Sequence, residues 1–112
     1  MDKISLVAQL GPVANLDGFK CVVTALEIVN MQNMDVISFT KEVYPTIGER
    51  LGLSAHSVER SIRYLIRKCW KRGRRDLLRE LCSVTDEPPT NAEFIKALVI
   101  HLHLHEKSTT LV

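Results

Sequence analysis

The chain has 112 residues, 46% apolar and 25% charged, with five glycines and four prolines, the size and make-up of a single domain with one buried core. No apolar run approaches the eighteen or so residues that cross a bilayer, polar residues interrupt the opening Met1-Asp2-Lys3-Ile4-Ser5, and neither a membrane span nor a signal peptide is therefore expected. The formal net charge of +2 is too small to mark a polyanion binder by its total.

In chain order, the hydrophobic periodicity predicts helices nearly throughout and no alternation of period two, hence an all-α fold of six helices. A first helix, about Asp2 to Leu10, stops at Gly11-Pro12. A second follows Leu16-Asp17-Gly18, with Phe19, Val22, Val23, Leu26 and Val29 as one apolar stripe. Val36 to Leu51 reads as helical, interrupted by Pro45, which either kinks the helix or opens a new one at its first turn. After Gly52 comes a long helix, about Ser54 to Arg72, for which Gly73 is expected to be a left-handed C-terminal cap. A brief fifth helix, Arg74 to Cys82, gives way to a polar loop through Asp86-Glu87-Pro88-Pro89. The sixth starts at a capping box, Thr90 with Glu93, followed by Phe94, Ile95, Leu98, Val99 and Leu102. No repeat or interdomain linker interrupts this single domain, residues 1–112.

Charge placement is more informative than total charge. Arg60, Arg63, Arg67, Lys68, Lys71, Arg72, Arg74 and Arg75 fall in one segment without an acidic residue, whereas the other 96 residues carry 7 basic against 13 acidic side chains. Clustered cations suit a polyanion; a merely solvated helix face usually mixes signs to gain i,i+4 pairs. The segment Tyr44 to Ile66 has helix-turn-helix spacing. Gly48 suits a close crossing, Gly52 a turn, and Ile47, Leu51, Leu53, Val58 and Ile62 the apolar lock, although Ser61 stands where an apolar residue is commoner.

On the wheel of the long helix, Val58, Ile62, Leu65, Ile66 and Cys69 fall within about 100°, and Arg60, Arg63, Arg67 and Lys71 within about 80° on the other side. If its N-terminal end enters a major groove, His56, Ser57, Glu59, Arg60 and Arg63 are the candidates to reach base edges. Ser54, Arg67, Lys71 and Arg74 are the candidates for the phosphate backbone. Arg offers a fork to guanine and Glu an acceptor for the cytosine amino group, so Glu59-Arg60 suits a C and a G. The competing reading is a helix-stabilising Glu59 to Arg63 pair.

These residues also carry a resemblance. Thr40-Lys41 with Tyr44-Pro45 and Ile47, Val58-Glu59-Arg60 with Ile62-Arg63, Trp70 with Arg72-Gly73, and Pro89-Thr90-Asn91 with Glu93-Phe94-Ile95 resemble the C-terminal DNA-binding effector domain of the stage-zero sporulation protein A response regulators, from about Ile4 to Lys107. The resemblance implies a six-helix domain whose fourth helix reads boxes of the TGNCGAA type in double-stranded DNA, as a monomer or as a weak dimer on adjacent boxes. It assigns base contacts to Glu59 and Arg60, with Arg63 matched in position. Three departures accompany it. Ser57 replaces an arginine that reads a base. The loop 83–89 is shorter and Arg74 to Arg79 more basic where the family is thought to touch the sigma subunit of RNA polymerase, which weakens the expectation of that partner but not of DNA. The receiver domain of the family is not in this sequence, and Met1 favours a stand-alone relative over a fragment.

Other constellations point less far. His101, His103 and His105 lack an acidic or thiol partner at a ligating spacing, and protonated histidines are favoured near a helix C-terminus in any case, so no metal is expected. Cys21, Cys69 and Cys82, an odd number without Cys-x-x-Cys spacing, read as buried reduced thiols. No phosphate loop, carboxylate pair or Ser-x-x-Lys suggests catalysis, no cofactor is expected, and Trp70 and Tyr64 could stack on bases, Trp70 more readily being a packing anchor. The expected protein is a cytoplasmic, nucleoid-associated, non-enzymatic transcription regulator. Its alternatives are an adaptor that binds the full-length regulator or polymerase and a nonspecific nucleic-acid binder.

Overall fold

The computed structural model describes residues 2–11 and 16–110, with side chains up to His105; the expected helix stop at Pro12 lies outside them. The described residues form six α-helices and no strand. They are α1 (Lys3–Ala8), α2 (Asp17–Ile28), α3 (Tyr44–Leu51), α4 (Ala55–Arg72), α5 (Arg75–Cys82) and α6 (Asn91–Thr110). The all-α expectation therefore holds.

Helix α1 begins where the Asp2 carboxylate accepts the Ser5 amide at 2.7 Å, satisfying one of the donors a helix start leaves orphaned. It is shorter than expected at its C-terminal end, closing at Ala8. Along α2 the buried face holds Cys21, Val22, Ala25 and Leu26, so it is rotated from the expected stripe, with Phe19 and Val23 only half-buried. In α6 the capping box forms as expected: the Thr90 amide donates to Glu93 Oε1 at 2.9 Å and the Glu93 amide to Thr90 Oγ1 at 3.2 Å. These bonds hold the Glu93 carboxyl below its ordinary value of 4.5.

The expected helix from Val36 is corrected. Val36 is exposed, Ser38 caps a π-helical turn from Phe39 to Val43, and this turn runs directly into α3. Pro45 supplies the reason. Within an α-helix its ring would press on the Lys41 carbonyl and leave it without a donor; a wider i to i+5 turn relieves both defects. The Val43 amide accordingly donates to the Ser38 carbonyl at 3.1 Å. Pro45 then sits in the first turn of α3, where its missing N–H costs nothing.

Helices α3 and α4 are joined by residues 52–54. Gly52, at φ 72° and ψ 34°, makes the left-handed turn, and a Cβ on Gly48 would collide with the Leu53 carbonyl. Ile47, Val58 and Ile62 are fully buried, with Leu51 and Leu53 packed at the edge. Order, loop length and lock are consistent with a helix-turn-helix.

Gly73 departs from expectation. Its φ of −107° is not left-handed, so glycine is required there for another reason: a Cβ would strike the Leu10 carbonyl. That carbonyl accepts the Arg74 amide at 2.8 Å, clasping the end of α1 to the junction of α4 and α5. Gly73→Ala should therefore lower unfolding free energy by about 1–3 kcal/mol through overpacking; an unchanged urea midpoint would show that the clasp is loose. For Glu93 a depressed folded pKa means that its contribution is present above the ordinary carboxylate range and lost as pH falls through the folded value. The stability difference between the wild type and Glu93→Gln should shrink on acidification in thermal melts, and a constant difference would contradict the capping account.

Candidate nucleic-acid interface

Helix α4 has two faces of opposite chemistry. Val58, Ile62, Leu65, Ile66, Cys69 and Trp70 are buried, while His56, Arg60, Arg63, Tyr64, Arg67 and Lys71 are exposed. The ridge from Arg60 to Lys71 is about 16 Å long at the rise of an α-helix. A groove of about 540 Å³, lined by Leu16 and Asp17 of the α2 start with Ser57 and Tyr64, runs along one flank. A second, of about 860 Å³, lies between α4 and the stretch Glu87 to Ala92. Arg63 and Arg67 border both grooves, which identifies them as the crest between two depressions.

The candidate site residues differ in how free their polar atoms are. Arg60, Arg67 and Lys71 have no acidic partner among the described residues. Arg63 pairs with Glu59 at 3.2 Å, with the side chains 48% and 29% exposed, so the i,i+4 pair is present in the unliganded chain. Ser54 is the N-cap of α4: its Oγ accepts the Ser57 amide at 3.0 Å and donates to Ser57 Oγ at 2.9 Å. Arg74 lies beyond α4, and its fork is closed on Asp76 by two hydrogen bonds of 3.0 Å. Each partner stabilises the other's charge, raising the Arg74 pKa and lowering that of Asp76. His56 is exposed in the first turn and Ser57 half-buried beside the cap.

Arg75, the last cation of the basic segment, and Arg79 of α5 do not join this ridge. Arg75 and Arg79 lie over the Trp70 ring at 5.1 and 5.4 Å, and their Nε atoms donate to the carbonyls of Trp70 and Thr85. Trp70, 8% exposed, is the packing anchor, and two guanidinium groups are held against it. Tyr64, by contrast, is 58% exposed, a large ring standing among the cations. It is the one of the two rings named from the sequence that is left open to a base.

Two residues outside α4 complete the region. Tyr44 is buried, and burial is the main reason that its hydroxyl pKa is raised. Asn91 bonds both the Tyr44 hydroxyl and the Glu59 carbonyl. The sequence names it only within the Pro89-Thr90-Asn91 match and gives it no role.

Nothing here resembles nucleophilic chemistry. Cys21 and Cys69 are buried and Cys82 is half-buried, all three free, and burial pushes each thiol up to about 11. They are protonated and weakly nucleophilic at neutral pH. Among the described residues no group of three or more His, Cys, Asp or Glu side chains is arranged to hold a metal ion, and no helix is long and apolar enough to cross a membrane.

The described residues thus form an all-helical domain that exposes a cationic helix after a tight turn. Residues 4–102 match the family described as sporulation initiation factor Spo0A C terminal, and the chain belongs to that family. It is a family of DNA-binding regulatory domains, not of enzymes, and supports the reading of the chain as a sporulation response-regulator effector domain.

Because the Glu59–Arg63 pair is an i,i+4 pair on a helix with both side chains partly open to solvent, Glu59→Gln should change stability by no more than about 0.5 kcal/mol. A larger loss in a urea titration would mean that the pair is structural.

Proposed function

We propose that the chain is a sequence-specific double-stranded DNA-binding transcription regulator that inserts α4 into the major groove and neutralises phosphates with its cationic ridge. The observation that carries this reading is that α4 exposes Arg60, Arg67 and Lys71 without acidic partners, on a helix whose opposite face is fixed in the core. Fixed on one side and uncovered on the other, the helix can present its side chains to a duplex without rearrangement.

Roles follow from the freedom of each group. Arg60 has its whole guanidinium fork available for guanine O6 and N7. Glu59 reaches a cytosine amino group by leaving Arg63, which is then released toward a base or phosphate. His56 and Ser57, in the first turn, are the remaining base-edge candidates; Ser57 is too short for the bidentate contact of an arginine, so box preference shifts at its base pair. Arg67 and Lys71 face the backbone directly. Ser54 and Arg74 join them only by exchanging Ser57 and Asp76 for a phosphate. Tyr64, among these cations, fits a sugar–phosphate contact by ring and hydroxyl.

Boxes of the TGNCGAA type are the proposed target, occupied by monomers or by weak dimers on adjacent boxes, in the cytoplasm at the nucleoid. The sigma subunit of polymerase has less support as a partner, because the loop 83–89 is short and Arg75 and Arg79 each commit the Nε donor and one face to Trp70 and Thr85.

A gel-shift series over salt, comparing a TGNCGAA duplex with a scrambled one, tests the reading. Specific recognition predicts a gap of at least ~4 kcal/mol. Equal affinities with a steep salt slope would instead identify a nonspecific binder, and no shift at low salt a protein-binding adaptor. Arg60→Ala should cost about 1–3 kcal/mol at one base pair, whereas Lys71→Ala should weaken all duplexes alike and reduce the salt slope by about one. A uniform loss from Arg60→Ala would remove it from the base readers.

A further inference from the structure

We propose that Asn91 is a positioning residue for base recognition, locking the reading end of α4 to α3 and α6 at the peptide that carries Glu59. The inference rests on the DNA-reading function proposed above.

Asn91 is the first residue of α6, 8% exposed, and one of two buried polar residues among those described. Its Nδ2 donates to the Glu59 carbonyl at 3.0 Å and to the Tyr44 hydroxyl at 3.2 Å. One amide thus joins three helices through groups 32 and 47 residues away in sequence. The Glu59 carbonyl lies inside α4, where the amide four residues on already serves it, so the helix does not need the second donor. What the bond adds is a link between elements.

The location of that link gives it a function. The peptide it holds joins Glu59 to Arg60, and the Glu59 side chain meets Arg63. Apolar packing beneath α4 resists separation of the helices but is non-directional, and tolerates small slides and rotations. A hydrogen bond weakens steeply with angle and so fixes depth and rotation together. The arm is held at its own base, since the box of Thr90 and Glu93 clamps the start of α6. Bidentate base contacts need their donors held within about 0.5 Å, whereas phosphate contacts by long cations do not.

The chemistry therefore separates two properties that a general loss of stability would move together. The full chain is compared by fluorescence anisotropy on a TGNCGAA duplex and a scrambled duplex at one salt concentration, below the melting temperature of every variant. Asn91→Ala should lower the ratio of specific to nonspecific affinity at least tenfold while leaving scrambled-duplex affinity within about twofold, the cationic ridge being intact. Asn91→Asp, nearly isosteric but without the donor, should lower the ratio as well, its added negative charge also weakening the scrambled duplex. Leu98→Ala, a core truncation elsewhere in α6, serves as the destabilised control and should keep the ratio. Asn91→Ser, too short to reach the carbonyl, replaces Asn91→Ala if that variant does not fold. A wild-type ratio retained by the Asn91 variants, or lost equally by Leu98→Ala, overturns the positioning role and leaves DNA reading standing. A wild type that binds both duplexes equally overturns the reading itself and this role with it.

Discussion

The constraint on which the rest of the structure depends is the burial of one side of α4. Six of its residues, from Val58 to Trp70, are enclosed by the other helices, and each large apolar side chain so enclosed contributes about 1.5–3 kcal/mol relative to exposure. At 3.6 residues per turn, fixing those positions leaves Arg60, Arg67 and Lys71 no direction but outward. The cations need no structural partner to hold them there. Function at this surface is a by-product of where the core lies, and substitutions on the ridge can alter binding without unfolding the domain.

Backbone proximity refines that arrangement. A Cβ on Gly18 would meet the Ser61 carbonyl and the Leu65 side chain, so α2 lies almost on the backbone of α4. Ser61, an odd residue for the lock of a helical hairpin, stands at this close crossing, where its carbonyl faces Gly18. Gly73 does the same at the far end of α4, against Leu10. With α3 turned in by Gly52 at the near end, α4 is contacted at its start, middle and finish, and the exposed face is left as a continuous strip.

Much of this was legible from spacing. The faces of α4, the Gly52 turn and the Thr90–Glu93 box follow from local rules that involve a few neighbouring residues. The failures are equally physical. Pro45 reads as a kink or a helix start and does stand in the first turn of α3; what periodicity does not register is that residues 36–38 lie outside any helix and that the turn before α3 is π-helical. Gly73 was read for its freedom of φ, whereas its lack of a side chain is what Leu10 requires, and Leu10 is 63 positions away. Arg75 counts in the cationic segment of the sequence; only the return of α5 over Trp70 shows that it and Arg79 are held against that ring. Asn91 was hidden for the same reason, since its partners lie in other helices.

The Glu59–Arg63 pair reconciles two readings that the sequence set against each other. As a partly exposed i,i+4 pair it contributes only about 0.3–0.5 kcal/mol, so opening it on a duplex costs little. Its presence in the free chain is therefore no argument against base reading. A carboxylate beside this ridge also faces phosphate repulsion in any register that offers it no donor, while a cytosine amino group removes that penalty in the correct one. The pair thus keeps Glu59 compensated in solution and leaves its charge to discriminate on DNA. A neutral residue at the same position would stabilise α4 almost as well and would lose that second effect.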